Sequence, residues 1–163
     1  MKKILCSFSI LLMMLLALPA LITAQGKKIS KFIAIKNIME QQRFVFSANM
    51  ANPTGMRAIF LTPPYLVQVS KDTIQSDLPF FGRAFSAPMN PTEGGIRFTS
   101  TDFEYAQSYR KKSWTITIRP KDVTDVQRMI LQVFDNGKAN LQVTSNNRQP
   151  ISFNGQVKAR ENR

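Results

Sequence analysis

Histidine is absent from this chain of 163 residues, and cysteine occurs once, at Cys6. Histidine is the commonest general base and proton shuttle, so its absence rules out the Ser-His-Asp and Cys-His arrangements of nucleophilic catalysis. A zinc site built from the usual cysteine and histidine ligands is excluded as well. The sequence also contains no phosphate-binding glycine loop and no dinucleotide fingerprint. We therefore predict a protein that is not an enzyme and that uses no metal and no cofactor.

Acidic residues are also few. The chain has 10 Asp and Glu against 22 Lys and Arg, which gives a net charge of +12. The basic residues are scattered, and scattered charge is typical of a solvated surface that keeps a protein soluble. The same charge also favours attraction to anionic envelope polymers or lipid headgroups. Nucleic acid is not expected as a partner, because the sequence carries no recognised nucleic-acid-binding motif.

The N-terminus has the layout of a secretory signal peptide. A short basic start precedes an unbroken apolar run over residues 10–18, and Pro19 and Ala24 then supply a helix break and a small residue before the cut. A retained membrane anchor is the alternative, since residues 4–22 are nearly long enough to cross a bilayer. A lipoprotein is less favoured, because Cys6 lies near the start of the apolar run and not after it.

These features predict a signal peptide over residues 1–24 and a single domain over residues 25–163. Cleavage would remove Cys6 and leave no disulfide and no stable membrane span. The predicted location is the periplasm or cell envelope of a Gram-negative bacterium.

The mature chain begins with its one helical signal, over residues 25–42. Ile29, Phe32, Ile33 and Lys36 fall on one side at helical spacing, with Ile35, Ile38 and Met39 adjoining. Such a broad apolar face needs burial, so we expect the helix to cap the end of a sheet or barrel; a lid or a membrane-surface helix is the alternative.

Beyond Arg43 the apolar residues recur with a period of two, in eight to ten short runs. Turn signals separate these runs, including Lys71-Asp72, the run from Arg110 to Lys112, and Asn136-Gly137, the strongest of them. A strand starting at Met56 is predicted to end at Pro63-Pro64. Many short strands with frequent turns indicate an all-β, antiparallel sandwich or closed barrel behind one N-terminal helix.

The stretch from Leu78 to Phe98 interrupts this pattern, because it combines phenylalanines, prolines and glycines. It is too apolar for a solvated linker and too broken for a strand. We expect it to connect the two halves of the barrel and to fold over one barrel end as a plug, since its phenylalanines need burial. Its alternative role is the rim of a binding site.

Several segments are similar to a known family of secreted proteins from Bacteroidetes-type bacteria, the domain-of-unknown-function family 4251. The resemblance runs from about Lys31 to Val157 and rests on Ala51 to Pro53, Leu78 to Pro88, Glu93 to Ile96, and Ser145 to Gln149. It implies a lipocalin-like β-barrel preceded by a helix, and it implies no activity, cofactor or catalytic residue. The run from Met89 to Thr92 departs from the family pattern, in which glycine is more frequent.

Two pairs of carboxylates are the remaining candidates for chemistry. Asp102 and Glu104 lie two residues apart on a predicted strand, on the face expected to point outward, and Asp122 and Asp125 lie in a turn-like stretch. Either pair could bind a hard cation or perform acid–base work. We interpret both as surface charge, because two carboxylates without further oxygen ligands make a weak site.

A binding module is therefore the predicted function, holding a small apolar or anionic amphiphilic ligand in the barrel or at its mouth. The predicted interior consists of Phe44, Phe46, Tyr65, Val67, Trp114, Ile116, Leu141 and Phe153. The candidate ligand-binding residues are Phe81, Arg83, Phe85, Tyr65 and Trp114, with Arg83 placed to meet an anionic headgroup. The alternative is a structural or interaction protein of the envelope, with a dry packed core and a protein partner.

Overall fold

The computed structural model describes residues 31–85 and 94–160, so the predicted signal peptide lies outside the described part of the chain. Helix α1, described over residues 31–41, comes first. Nine strands follow: β1 Phe44–Pro53, β2 Ile59–Val69, β3 Ile74–Leu78, β4 Ile96–Ser100, β5 Phe103–Arg110, β6 Ser113–Pro120, β7 Val126–Phe134, β8 Lys138–Ser145 and β9 Ile151–Ala159.

The strands form one antiparallel sheet in the order β4-β3-β2-β1-β9-β8-β7-β6-β5. Each strand pairs with its neighbours in sequence, except that β4 and β5 are the two edges of this order. Pairing of β1 with β9, from Phe44↔Ala159 to Pro53↔Ile151, joins the first strand to the last. The predicted antiparallel barrel of eight to ten strands with one N-terminal helix is thereby confirmed.

A single bend joins the two edges of the sheet. Only Thr101 and Asp102 separate β4 from β5, so the two edges of the sheet meet in space at that point. Because neighbouring strands alternate in direction along nine positions, β4 and β5 run the same way, and β5 continues β4 past the bend. The first half of this bent strand pairs with β3 and the second half with β6. The fold is thus an up-and-down meander of eight strands, one of them bent.

The interior of the barrel is a single hydrophobic cluster. Burial alternates along the strands, as in β3, where Ile74, Ser76 and Leu78 are buried and the two residues between them are exposed. The side chains predicted to face inward are buried, with Phe44, Phe46, Ile116 and Phe153 at 0% exposure and Tyr65 half-buried. Full burial of such a side chain stabilises the fold by about 1.5–3 kcal/mol.

Helix α1 caps one end of the barrel, as predicted. Its Ile35 side chain packs against Gly137 in the β7–β8 turn, and its Phe32 ring lies 5.8 Å from the ring of Trp114 at the start of β6. We call this the helix end; the β2–β3, β5–β6 and β7–β8 connections lie there. The opposite end, which holds the β1–β2, β3–β4, β6–β7 and β8–β9 connections, is called the loop end.

The buried face of α1 differs from the predicted one. Ile35 and Met39 are buried and Phe32 and Ile38 are partly buried, whereas Ile33 is 49% exposed. Lys36, also assigned to the buried side, is exposed and lies 3.7 Å from Glu40. The helix is oriented so that Ile35, Ile38 and Met39, which the sequence predicts to lie beside the buried face, contact the barrel. Ile29 lies outside the residues that the structure describes.

Two further predictions are corrected. Pro63 and Pro64 lie inside β2 and do not end it, because the β1–β2 register shifts between the pairs Ala48↔Tyr65 and Met50↔Phe60, which leaves residues of β2 without a partner on β1. Proline is tolerated at such an irregularity, where no ladder hydrogen bond is lost. The stretch from Leu78 to Phe98 does not join two halves of the barrel: it connects the neighbouring strands β3 and β4, with Leu78 paired to Ile96.

Candidate functional site

The five predicted ligand-binding residues do not meet in one place. Trp114 lies at the helix end, 4% exposed, with its ring 4.4 Å from that of Tyr109. Phe81 lies in the β3–β4 connection at the loop end, partly buried against the core. Arg83 and Phe85 are exposed nearby, Phe85 at 70%, and half-buried Tyr65 lies in the middle of β2.

The plug interpretation holds for part of the β3–β4 connection. Phe80 and Phe81 pack against the core, which is what a plug requires, whereas Phe85 points into solvent and the expectation of burial is wrong for it. Residues 86–93, which include Pro88 and the Met89 to Thr92 run, lie outside the described part of the chain.

The arginine that holds this connection is Arg148, from the β8–β9 connection. Its Nη1 donates to the carbonyl oxygen of Gly95 at 3.0 Å, its Nε lies 3.3 Å from a carboxylate oxygen of Asp125, and its guanidinium lies 5.2 Å from the centre of the Phe80 ring. The sequence predicts an arginine among the phenylalanines of this connection, which is correct. The residue predicted is Arg83, which is wrong. The backbone N–H of Arg83 donates to Gln149 Oε1, while its side chain is exposed.

The carboxylate pairs have separate structural tasks. Asp102 and Glu104 are exposed, and Glu104 lies 3.6 Å from Arg119 and 3.3 Å from Lys121. Surface ion pairs of this kind contribute little to stability. The prediction of surface charge is therefore confirmed for Asp102 and Glu104, but the prediction that both lie on one strand is wrong, because Asp102 lies in the bend before β5.

Asp122 is exposed but is more than surface charge, because it holds the bend between β4 and β5. Its carboxylate accepts hydrogen bonds from the Ser100 hydroxyl and from the backbone N–H groups of Thr101 and Asp102. These bonds favour the ionised form, and the one from Ser100 contributes most, so the pKa of Asp122 falls from 3.8 to about 2. The bend removes the N–H groups of Thr101 and Asp102 from the sheet ladder, and the Asp122 carboxylate accepts their hydrogen bonds instead.

A polar cleft of about 700 Å³ lies at the helix end, and we call it the basic cleft. It is lined by Gln41, Arg43, Gln68, Ser70, Lys71, Asp72, Thr73, Gln75 and Arg160. This cleft is not predicted from the sequence. Its residues come from three separate parts of the chain, and the only signal in the sequence was the predicted Lys71-Asp72 turn.

The end of α1 delivers the first cation to the basic cleft. Gln42 adopts a left-handed conformation with φ of 51°, its N–H donates to the Met39 carbonyl, and the Arg43 N–H donates to the Ile38 carbonyl. This pair of bonds is a Schellman motif, which satisfies the last carbonyls of a helix and turns the chain sharply. Arg43 therefore lies immediately before β1, beside the cleft, and Phe44↔Ala159 pairing brings Arg160 next to it.

The β2–β3 turn supplies the rest of the charge. Asp72 accepts a hydrogen bond from the Ser70 hydroxyl at 2.8 Å, which with the nearby positive charge of Arg160 lowers the pKa of Asp72. The carboxylate is therefore ionised and held within its own turn. Three cations, Arg43, Lys71 and Arg160, thus face one carboxylate, and glutamine amides from α1, β2 and β3 complete the lining.

No group of three or more carboxylates within residues 31–85 and 94–160 is arranged to hold a metal ion. In the same part of the chain, no helix has the length and apolar character needed to cross a membrane.

Comparisons with known proteins identify a family and a fold. A family model described as a domain of unknown function, DUF4251, matches residues 26–157. The crystal structure of a DUF4251 family protein from Bacteroides eggerthii superposes with a TM-score of 0.54 at 15% sequence identity, covering 80% of this chain and 88% of that chain. No curated protein matches the chain. The resemblance drawn from the sequence is confirmed, and the structural likeness at this identity shows the fold alone.

Proposed function

This chain belongs to the DUF4251 family of domains of unknown function, and we propose that it is an exported, non-enzymatic binding module that holds an anionic ligand in the basic cleft. The observation that carries the proposal is the lining of that cleft, where three cations and three glutamine amides surround a space of about 700 Å³ with a single carboxylate among them.

The size and charge of the basic cleft define the ligand class. Small-molecule sites commonly occupy about 300–1,000 Å³, so the cleft suits a ligand the size of a headgroup or a sugar. Arginine presents a planar fork of donors that matches phosphate or carboxylate oxygens, and Arg43 and Arg160 lie side by side at the cleft. Glutamine amides both donate and accept, as hydroxyl groups require. The ligand we propose is a phosphate or carboxylate group on a hydroxyl-rich scaffold.

The residues available support binding without catalysis. The whole sequence lacks histidine, and its one cysteine, Cys6, lies in the predicted signal peptide. Asp72, the carboxylate of the cleft, is kept ionised by its own turn and is a poor proton donor at neutral pH. These features support a site that selects and holds a ligand and leaves it unchanged.

An NMR titration tests the proposal. Glycerol phosphate is added to ¹⁵N-labelled protein, with neutral glycerol as the reference. We expect the amide resonances of residues 41–43 and 70–73 to shift with glycerol phosphate and to stay in place with glycerol. The double variant R43Q/R160Q should weaken binding by about tenfold for each arginine, since hydrogen bonds between charged partners are the strong ones.

The matched control is R110Q/K138Q, which removes two exposed cations outside the cleft. It keeps the net charge equal to that of R43Q/R160Q, so it separates a site from general attraction to a basic protein. Equal loss of affinity in both double variants, or shifts spread evenly over the surface, would contradict the proposal.

A second candidate function is a structural or interaction protein of the envelope. The buried cluster inside the barrel supports it, because Phe44, Phe46 and Phe153 are fully buried in one packed core, and a lipocalin-like interior site would need room there. Pull-down from an envelope fraction at low and moderate salt tests this function; recovery of a defined partner that R43Q/R160Q still binds would favour it over the basic cleft. Determining the N-terminal residue of the exported protein tests the predicted cleavage after Ala24.

A further inference from the structure

The three most exposed large apolar side chains of the described residues lie at the loop end of the barrel, away from the basic cleft. Phe60, one residue into β2, is 84% exposed, Phe85 is 70% exposed, and Met56 in the β1–β2 connection is 58% exposed. Exposed large apolar groups in one region mark interaction sites in proteins of this size. Neither the packing of the barrel nor the proposed ligand site explains these three.

Hydrogen bonds tie the two connections that contain Met56 and Phe85 to one loop. The Thr54 hydroxyl donates to the Pro150 carbonyl at 2.7 Å, which ties the β1–β2 connection to the β8–β9 connection. On the other side of that loop, the Phe85 N–H donates to the Asn147 carbonyl at 2.7 Å, and the Gln149 N–H donates to the Arg83 carbonyl at 3.1 Å. The segment with Phe85 and the segment with Met56 therefore flank residues 146–150 at the same end.

Two cations accompany the apolar side chains. Arg57 follows Met56 directly, Arg83 lies two residues before Phe85, and both arginines are exposed. Neither forms an ion pair with a carboxylate of the described residues, in contrast to Arg148, which is paired with Asp125 in the same region. The outward surface of this end thus combines projecting apolar side chains with positive charge.

We propose that the loop end docks on an anionic lipid surface, with Phe60, Phe85 and Met56 entering the interfacial region and Arg57 and Arg83 contacting headgroups. Met56 and Phe60 lie at the β1–β2 connection and the start of β2, and Phe85 lies in the β3–β4 connection. Largely exposed side chains on two different segments suit a soft and deformable bilayer surface better than the flat, close-packed core of a protein interface. Cations beside them match the negative potential of a membrane rich in anionic lipid. The basic cleft, at the opposite end, would then face away from the bilayer, and neither proposal depends on the other.

The test is cosedimentation of the exported protein with vesicles that contain phosphatidylglycerol, compared with vesicles of phosphatidylcholine alone. We expect binding to the anionic vesicles that weakens as salt is raised. F60S and F85S should each weaken it by about tenfold, and R57Q and R83Q by about fivefold each. R110Q/K138Q serves as the charge control and I33S, at the helix end, as the apolar control; both should bind as the parent does.

A local readout makes the result independent of the N-terminal segment, which every variant shares. F60W places an indole at the loop end, while Trp114, the only native tryptophan, is 4% exposed at the other end. On binding to anionic vesicles, the fluorescence of the indole introduced by F60W should shift to the blue and be quenched by brominated lipid. Unchanged fluorescence of F60W, or full binding by folded F60S/F85S protein, would overturn the proposal. So would concentration-dependent self-association that F60S/F85S abolishes, since that would make the loop end a contact between copies.

Discussion

Replacing Gly155 by alanine tests whether pairing of β1 with β9 closes the barrel as tightly as the structure indicates. Gly155 lies in β9 opposite Ala48, where the β1–β9 register shifts between Ala48 and Met50. A Cβ at this position would lie 2.9 Å from the Ser47 carbonyl carbon and 3.0 Å from the Ala48 Cα, and it would overlap the Ser47 carbonyl oxygen. These obstructing atoms are backbone, and β1 is paired on both sides, so neither strand can move without breaking ladder bonds.

The expected cost of G155A follows from this geometry. Inserting a methyl group into a packed region costs about 1–3 kcal/mol. Because no flexible side chain can give way here, we expect about 3 kcal/mol. With a urea slope of about 2 kcal/mol/M, the unfolding midpoint should fall by about 1.5 M. Equilibrium unfolding followed by Trp114 fluorescence measures it.

Gly94→Ala is the matched control, because a Cβ on Gly94 meets no atom within 4 Å. The same chemical change there should leave the free energy of unfolding within about 0.5 kcal/mol of the parent. If G155A is as stable as G94A, the strands β1 and β9 do not approach each other as described, and their pairing does not close the barrel tightly.

Three further predictions, made with five substitutions, test the loop end and the bend. D122N should lower stability at neutral pH, because a carboxylate with a lowered pKa stabilises the fold while it is ionised. The difference in stability from the parent should vanish as the pH falls from 3.8 to about 2, and a constant difference in acid melting curves would contradict this. F81A should lower the free energy of unfolding by about 1.5 kcal/mol, half the value for a fully buried phenylalanine, and F85A by less than about 0.5 kcal/mol. Equal losses in urea unfolding would show that the connection is not a partial plug. R148Q should lower the free energy of unfolding by about 2 kcal/mol, because it leaves Asp125 and the Gly95 carbonyl without their arginine, whereas R83Q should be neutral. Thermal melts in which R83Q is the less stable variant would show that Arg83 holds the connection.

The fold could be predicted from the sequence because it depends on local patterns. A period of two in the apolar residues is the direct consequence of a strand with one face on a core. Asn136-Gly137 suits the tight turn that it forms, in which Gly137 adopts a left-handed conformation with φ of 78°. Helix α1 was predictable for the same reason, but its orientation was not. Isoleucines occur on most of its sides, so the choice between Ile33 and Ile38 depends on where Trp114 and the β7–β8 turn lie.

The polar groups that hold the barrel together could not be placed from the sequence, because their partners are distant along the chain. Arg148 reaches Gly95, and Asp122 reaches Ser100, only after the meander has closed. A local pattern contains neither contact. From the sequence, Asp122 is accordingly predicted to be surface charge, and the arginine among the phenylalanines is predicted to be Arg83, the nearest one in sequence.

The basic cleft is also built from residues that are distant along the chain. It forms only when the barrel closes, so closure of the barrel is connected to the proposed function. Arg43 immediately precedes β1 and Arg160 immediately follows β9, so these two cations are neighbours only because Phe44 pairs with Ala159. Bringing like charges together costs free energy, and the nearby carboxylate of Asp72 offsets part of that cost. The packed core, with Phe44 fully buried, holds the strands that impose the arrangement. An anion that binds both arginines would relieve their repulsion and would stabilise the closed barrel by mass action. A rigid core and a ligand site on its surface are therefore compatible, and the absence of room inside the barrel would not argue against binding.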